Sequence, residues 1–129
     1  MTYAPYKGGT LLVPSGPSGM HLFVILTNQC QNGLHLMVSI TSIKAGKTYD
    51  EACVFAGGEH PFITQPSYVF YRLAEQRRGA HLANGVDKGL FIPREDMPLG
   101  ALQAICAGID VSEFIGQWAV EYYHANKDN

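Results

Sequence analysis

The stretch HLFVILTNQCQNGLHLMVSITS, residues 21–42, decides the fold of this chain. Its first part, HLFVILTN over residues 21–28, mixes β-branched and aromatic residues in a nearly continuous apolar run, which predicts a central strand. The turn signal QNG follows at residues 31–33, and LHLMVSITS at residues 34–42 alternates in the way that predicts a second strand. Two consecutive strands joined by a short turn favour an antiparallel sheet.

Shorter segments on either side extend this sheet. The strand-like runs are TLLV at residues 10–13, ACVFA at 52–56, PSYVFYRLA at 66–74 and the short run at 90–92. Loops are predicted for PSGPSG at residues 14–19, for the charged EQRRG at 75–79 and for most of HLANGVDKG at 81–89. The pattern therefore predicts five or six short strands in a small antiparallel sheet or barrel.

The period changes after Asp96, where the residues predict two helices. Asp96 is a candidate cap and Pro98 an early helical position, and apolar residues then recur at helical spacing up to Gly108. Ser112 is a candidate cap for the second helix. Its predicted apolar face consists of Phe114, Ile115, Trp118, Ala119, Tyr122 and Tyr123. We therefore predict one α+β domain over residues 1–129, with a barrel at about 8–93 and a helical extension at about 96–126.

Composition narrows the class of protein. Hydrophobic residues make up 47% of the 129 residues and charged residues 16%, which disfavours disorder. The net charge of −2 gives no global attraction to nucleic acid or to an anionic membrane. The three cysteines lack a CxxC spacing, no secretory signal follows Met1, and LFVIL is too short to span a bilayer. The expectation is a reduced cytoplasmic protein without a membrane partner.

Three segments in this order resemble the PemK/MazF family of small toxins. HLFVILTN resembles the second strand of the family, LHLMVSITS resembles the next strand, which ends in ITS or ITT, and EHPFITQPSYVFYRLAE resembles the return through an SYV-type strand. The segment LGALQAICAGI falls where the family places a packing helix. The resemblance covers about residues 20–110 and implies an SH3-like antiparallel barrel with C-terminal helices.

The family resemblance also implies a function. Its members are typically homodimeric, metal-independent endoribonucleases that a small antitoxin protein neutralises. The resemblance therefore implies three partners: single-stranded RNA, an antitoxin and a second copy of the chain. It implies no cofactor. The catalytic candidates are His60 and Glu59 for proton transfer and Arg77 and Arg78 for phosphate charge. The candidate RNA contacts are Thr41, Ser42, Lys44, Lys47 and Arg72.

His60 has two interpretations. A histidine titrates close to neutral pH, and Glu59 is placed to orient its ring as a general base. The other interpretation is that His60 caps the turn before Pro61 with its ring bonded to backbone, and the residue types favour this structural role. His21 and His35 lie on predicted strands and are expected to be satisfied structural histidines.

Other candidates carry the same kind of alternative. Cys53 with His60 as its base would make a hydrolase, whereas a small residue on an apolar strand favours simple burial. No pair of cysteines or histidines has zinc-ligand spacing, so no metal site is predicted. Tyr49, Tyr68 and Tyr71 beside the basic residues are placed to stack bases, or else belong to the core behind two solvated loops.

Two functions follow from these alternatives. The first is a toxin-like RNA-binding protein, with endoribonuclease activity if the catalytic candidates meet. The second is a non-catalytic interaction module of a mobile element or phage that keeps the barrel. The net charge of −2 and Met20, which stands where the family has a basic residue, favour the second.

Overall fold

The computed structural model describes residues 3–15 and 19–129. The predicted loop at residues 14–19 lies partly outside this range. Seven strands and three α-helices make up the described part of the chain, together with a short 3₁₀ helix, Tyr71–Leu73. The strands are β1 Thr10–Pro14, β2 Met20–Ile25, β3 Leu34–Ser42, β4 Val54–Phe55, β5 Ser67–Val69, β6 Glu75–Arg78 and β7 Ile92–Arg94. The helices are α1 Gly79–Asp87, α2 Leu99–Gly108 and α3 Gln117–Asn126.

The strands form one sheet in which every described pairing is antiparallel. Its order is β4-β5-β3-β2-β1-β7, and β6 pairs with β3 as well. The N-terminal half of β3 therefore pairs with β6, and its C-terminal end pairs with β5. Within the described ranges no pairing joins β4 to β7, so the sheet stays open and the α+β class is the level of the prediction that is confirmed.

Both faces of the central strands are buried, because alternate side chains enter two different cores. Leu36 and Val38 of β3 belong to the larger core, which α2 and α3 cover through residues such as Ile105 and Ala119. Met37 points to the smaller core on the other face, with Leu82 of α1. This explains why β2 and β3 carry apolar residues on both faces, as is typical of strands that are covered on both sides.

Two predictions about the chain after residue 74 are wrong. Residues 75–78 form strand β6 rather than an outward turn, and residues 79–87 form α1 rather than a loop. Helix α1 contains two glycines and an asparagine, so its intrinsic propensity is low. Gly85 is needed because a Cβ there would overlap with the ring of Phe91, and the close packing against the smaller core stabilises the helix.

The C-terminal helices are predicted more closely than their caps. Helix α2 begins at Leu99 after an N-cap at Pro98 rather than at Asp96. The Ser112 hydroxyl accepts the backbone N–H groups of Phe114 and Ile115, but α3 begins only at Gln117. No helix in residues 3–15 and 19–129 is long and apolar enough to cross a membrane.

Candidate functional site

The segment that carries Glu59 is a tight loop stabilised by the Glu59 carboxylate. Oε2 accepts the N–H of Ala56 and Oε1 accepts the N–H of Gly57, each at 2.9 Å. Gly57 and Gly58 have φ values of 120° and 96°, which L side chains rarely adopt. Slight burial acts to raise the pKa of the Glu59 carboxyl, but hydrogen bonds from backbone N–H groups lower this pKa overall. Glu59 is therefore an ionised cap of its own loop.

His60 is bonded to backbone through both of its ring nitrogens. Nδ1 accepts the N–H of Phe62 at 3.0 Å, and Nε2 lies 2.6 Å from the carbonyl oxygen of Glu95. The tautomer that satisfies both contacts carries its proton on Nε2. The residue is only 1% exposed. This placement matches the structural interpretation of His60, and no ring nitrogen is left for proton transfer.

Arg77 and Arg78 lie on a different part of the sheet. They belong to β6, which pairs with the N-terminal half of β3, whereas the Glu59 loop precedes β5 at the other end of that strand. Arg77 forms an ion pair with Glu75 at 2.5 Å, and its guanidinium lies 5.6 Å from the ring centre of Phe91. The four catalytic candidates are therefore not assembled into one site.

The RNA-contact candidates, in contrast, surround a row of three aromatic rings. We call Tyr49, Tyr68 and Phe70 the aromatic strip. The ring centres of Tyr49 and Tyr68 are 5.5 Å apart, and those of Tyr68 and Phe70 are 5.6 Å apart. Tyr68 lies opposite Thr41 and opposite Val54 in the strand register. Its side chain is therefore on the face of the sheet away from buried Val69, and it is only half-buried.

Two adjoining cavities lie along this strip, and their walls together include all five RNA-contact candidates. One of about 290 Å³ contains Thr41, Ser42, Lys44 and Lys47. The other, of about 160 Å³, contains Arg72. The two cavities share Thr48, Tyr49 and Tyr68. Both lysines and Arg72 are exposed, so their charges are available to a ligand.

A buried carboxylate, that of Asp50, lines the smaller of the two strip cavities. Asp50 is 7% exposed, and its two oxygens accept the backbone N–H of Ala52 at 3.0 Å and the hydroxyl of Ser112 at 2.5 Å. Burial, followed by the charge of Asp50, raises the pKa of Tyr68. Tyr68 therefore keeps its proton at neutral pH, and the strip carries no negative charge of its own from this ring.

A larger cavity of about 410 Å³ shares Thr41, Ser42 and Lys44 with the 290 Å³ strip cavity. We call it the His21 cavity, because His21 of β2 lines it together with part of the loop that follows His60. Nδ1 of His21 is buried and has no hydrogen-bond partner, contrary to the expectation of a satisfied histidine. The sequence contains no signal for this cavity, since its walls come from three separate segments.

His35 is also only partly satisfied. Its Nδ1 lies 2.9 Å from the carbonyl oxygen of Thr27, and its Nε2 is buried without a partner. A Cβ on Gly79 would lie 3.2 Å from that nitrogen, so the start of α1 packs directly against the ring. His35 therefore contacts the start of α1 by packing and not by a hydrogen bond.

Cys53 does not have the environment of a nucleophile. It is 6% exposed, and burial raises the pKa of its thiol to about 11. With both nitrogens of His60 bonded to backbone, the geometry gives no support to a Cys53–His60 hydrolase. In residues 3–15 and 19–129 no group of three histidine, cysteine or acidic side chains is arranged to hold a metal ion.

No protein-family model matches this chain, and no curated protein matches it. The function is therefore inferred from the residues of the aromatic strip and the cavities beside it.

Proposed function

We propose that this protein binds single-stranded RNA on the aromatic strip and does not cleave it. The observation that carries the proposal is the placement of three half-buried aromatic rings and three exposed cations, Lys44, Lys47 and Arg72, around two adjoining cavities. Proteins bind single strands by this combination, in which bases stack on aromatic rings and cations follow the phosphates.

The spacing and chemistry of the strip suit an unpaired strand. Bases in a single strand have free faces and edges, whereas in an RNA duplex the faces are stacked on one another. Thr41 and Ser42 supply hydroxyl groups beside the strip, and these donate to or accept from phosphate, ribose or base edges. With a net charge of −2, attraction to RNA must come from this local group of cations.

Binding without cleavage follows from the state of the catalytic candidates. In metal-independent cleavage the ribose 2′-oxygen attacks phosphorus and expels the 5′-oxygen of the next nucleotide, so a base must take the 2′-hydroxyl proton and an acid must protonate the leaving oxygen. The His60 nitrogens are bonded to backbone, and Arg77 is paired with Glu75 on β6. The proposal thus combines the RNA partner of the PemK/MazF resemblance with a non-catalytic role. An SH3-like barrel of PemK/MazF type that is left open between β4 and β7 stays part of the proposal, supported by the antiparallel pairing and the C-terminal helices.

Fluorescence anisotropy of a labelled, unstructured RNA at low salt tests the proposal. Tyr68→Ala removes the central ring of the strip, and we expect an affinity loss of about tenfold, since one stacked base is worth roughly 1–3 kcal/mol. Tyr68→Phe keeps the ring and should bind as the wild type does. Trp118→Ala is the matched control, because Trp118 is 45% exposed and lies outside both strip cavities.

The same samples decide the question of cleavage. After long incubation without metal at high protein concentration, gel electrophoresis should show intact RNA. RNA fragments that appear with the wild type and not with His60→Ala would show instead that the protein is an endoribonuclease. Equal losses in Tyr68→Ala and Trp118→Ala, or no binding by the wild type, would remove the aromatic strip as the site.

A further inference from the structure

The His21 cavity has the size and the mixed walls of a ligand site. Its volume of about 410 Å³ lies within the range of about 300–1,000 Å³ that small-molecule pockets occupy. Met20, Ile40 and Phe62 supply apolar surface, while His21 and Gln65 supply hydrogen-bonding groups. A ligand for such walls is flat or compact, apolar on its faces and polar at its edge.

The polar groups of the cavity have unused hydrogen-bonding capacity. Nδ1 of His21 is buried without a partner and so is closed to a ligand, which leaves Nε2, for which the described residues supply no hydrogen bond, as the nitrogen of this ring that a ligand can reach. Gln65 donates one N–H from Nε2 to the Ser42 hydroxyl at 2.9 Å, which fixes its amide group and leaves its carbonyl oxygen free to accept. His21, Gln65 and Ser42 thus present donors and acceptors from three directions.

Phe62 forms an aromatic wall that is held in place by its neighbours. The side chain is 38% exposed, and the guanidinium of Arg94 lies 5.6 Å from the ring centre. The backbone N–H of Phe62 donates to Nδ1 of His60, and the N–H of Ile63 donates to the carbonyl oxygen of His60 at 2.8 Å. His60 is therefore a positioning residue for this wall.

The cavity continues directly into the aromatic strip. Thr41, Ser42 and Lys44 line both the His21 cavity and the neighbouring strip cavity. A strand that stacks on Tyr68 and passes Lys44 therefore has an opening beside it, into which one nucleotide can turn.

We propose that the His21 cavity takes a single unpaired nucleobase and makes the RNA binding base-selective. Phe62 contacts the face of the base, His21, Gln65 and Ser42 bond its edge, and Lys44 neutralises the adjoining phosphate. The inference rests on the proposed RNA binding, and it assigns discrimination to the cavity and general affinity to the strip. The same chemistry fits a free nucleoside monophosphate, so the test includes both sources of the base.

The experiment compares the affinities of the four RNA homopolymers of equal length by anisotropy. The wild type should prefer one homopolymer by about tenfold, the discrimination typical of one well-bonded base edge. Gln65→Ala and His21→Leu should reduce that preference to about twofold and leave the weakest homopolymer unchanged. Gln103→Ala, the loss of an exposed amide on α2 outside the cavity, should keep the full preference. Circular dichroism shows whether each variant is folded, and the exposed position of Gln65 makes that variant decisive if His21→Leu unfolds.

The outcomes separate this inference from the proposed function. RNA binding without base preference, or a preference that Gln65→Ala leaves intact, contradicts base selection by the His21 cavity. Either result leaves the proposed RNA binding on the aromatic strip in place. If no RNA binds, equilibrium dialysis with the four nucleoside monophosphates decides. Binding of one of them that requires Gln65 supports the cavity as a nucleotide site and removes the RNA function. Absence of both kinds of binding removes both proposals.

Discussion

His60 shows how local bonding decides what a histidine can do. Next to Glu59 it has the residue type of a general base, but a general base needs a free nitrogen directed at its substrate. Its two nitrogens instead bond the N–H of Phe62 and the carbonyl of Glu95, and the ring is buried. The residue therefore acts on the cavity through the loop that it shapes, and this role depends on ring shape and tautomer.

The three cysteines should react with an alkylating agent in an order set by their surroundings. Burial acts to raise the pKa of the Cys30 thiol, but hydrogen bonds with Tyr122 and with backbone lower this pKa overall. The side chain of Cys30 is also half-exposed. Burial raises the pKa of Cys53 to about 11 and also raises that of Cys106. Since the thiolate is the nucleophile, iodoacetamide at neutral pH should label Cys30 first.

Peptide mapping by mass spectrometry measures that order. Cys30→Ser should abolish the fast phase of labelling and leave the slow phase unchanged. Fast labelling at Cys53 would contradict its burial and would return the Cys53–His60 pair to consideration.

At the scale of elements, a strand or helix is predicted correctly when its own residues stabilise it and is missed when distant residues do. Strand β3 is predicted with its exact bounds, Leu34–Ser42, because its own alternating residues enter two cores. Helix α1 is missed because its stability comes from partners far along the chain, such as Phe23 and Met37 of the smaller core, rather than from propensity or a cap. Strand β6 is missed for a similar reason. Its residues are mostly charged, and they form a strand because their backbone pairs with that of β3.

Helix α2 provides a sharp test of packing against the larger core. A Cβ at Gly108 would overlap with the hydroxyl of Tyr71, which is fully buried and donates to the carbonyl oxygen of Ile105 at 2.6 Å. Gly108→Ala should therefore lower the free energy of unfolding by about 2 kcal/mol, within the range found for overpacking. Urea denaturation measures the change.

Gly100 of the same helix is the matched control. A Cβ there meets nothing within 4 Å. Gly100→Ala should raise the free energy of unfolding by about 0.5 kcal/mol, because alanine loses less backbone freedom on folding than glycine. Equal effects of the two substitutions would mean that α2 does not pack on Tyr71 as described.

At the scale of the whole molecule, the grouping of the RNA-contact candidates in one place is predictable from the sequence, whereas the His21 cavity is not. Thr41, Ser42, Lys44 and Lys47 follow one another at the end of β3, so one correctly predicted strand brings them together. The His21 cavity needs β2, β3 and the segment after His60 to meet, and no local pattern encodes that meeting. Long-range packing therefore determines the part of the surface to which we assign base selection.

The salt dependence of RNA affinity tests how the charge of the whole molecule is used. With a net charge of −2, the protein as a whole is expected to repel RNA weakly, and in the proposed complex Lys44, Lys47 and Arg72 are the side chains that release counterions from the strand. Three phosphate contacts with a single strand predict that log K against log salt falls with a slope of about −2. Lys47→Ala should change the slope to about −1.4, since each contact contributes roughly −0.7.

Lys88 is the control for this measurement, because it is exposed at the end of α1 and lies outside the strip cavities. Lys88→Ala changes the net charge by the same amount as Lys47→Ala and should leave the slope at about −2. An equal change in both variants would show that RNA responds to the total charge of the protein. A change confined to Lys47→Ala would place the strand along the aromatic strip, because screened charges act only over about 10 Å at moderate salt.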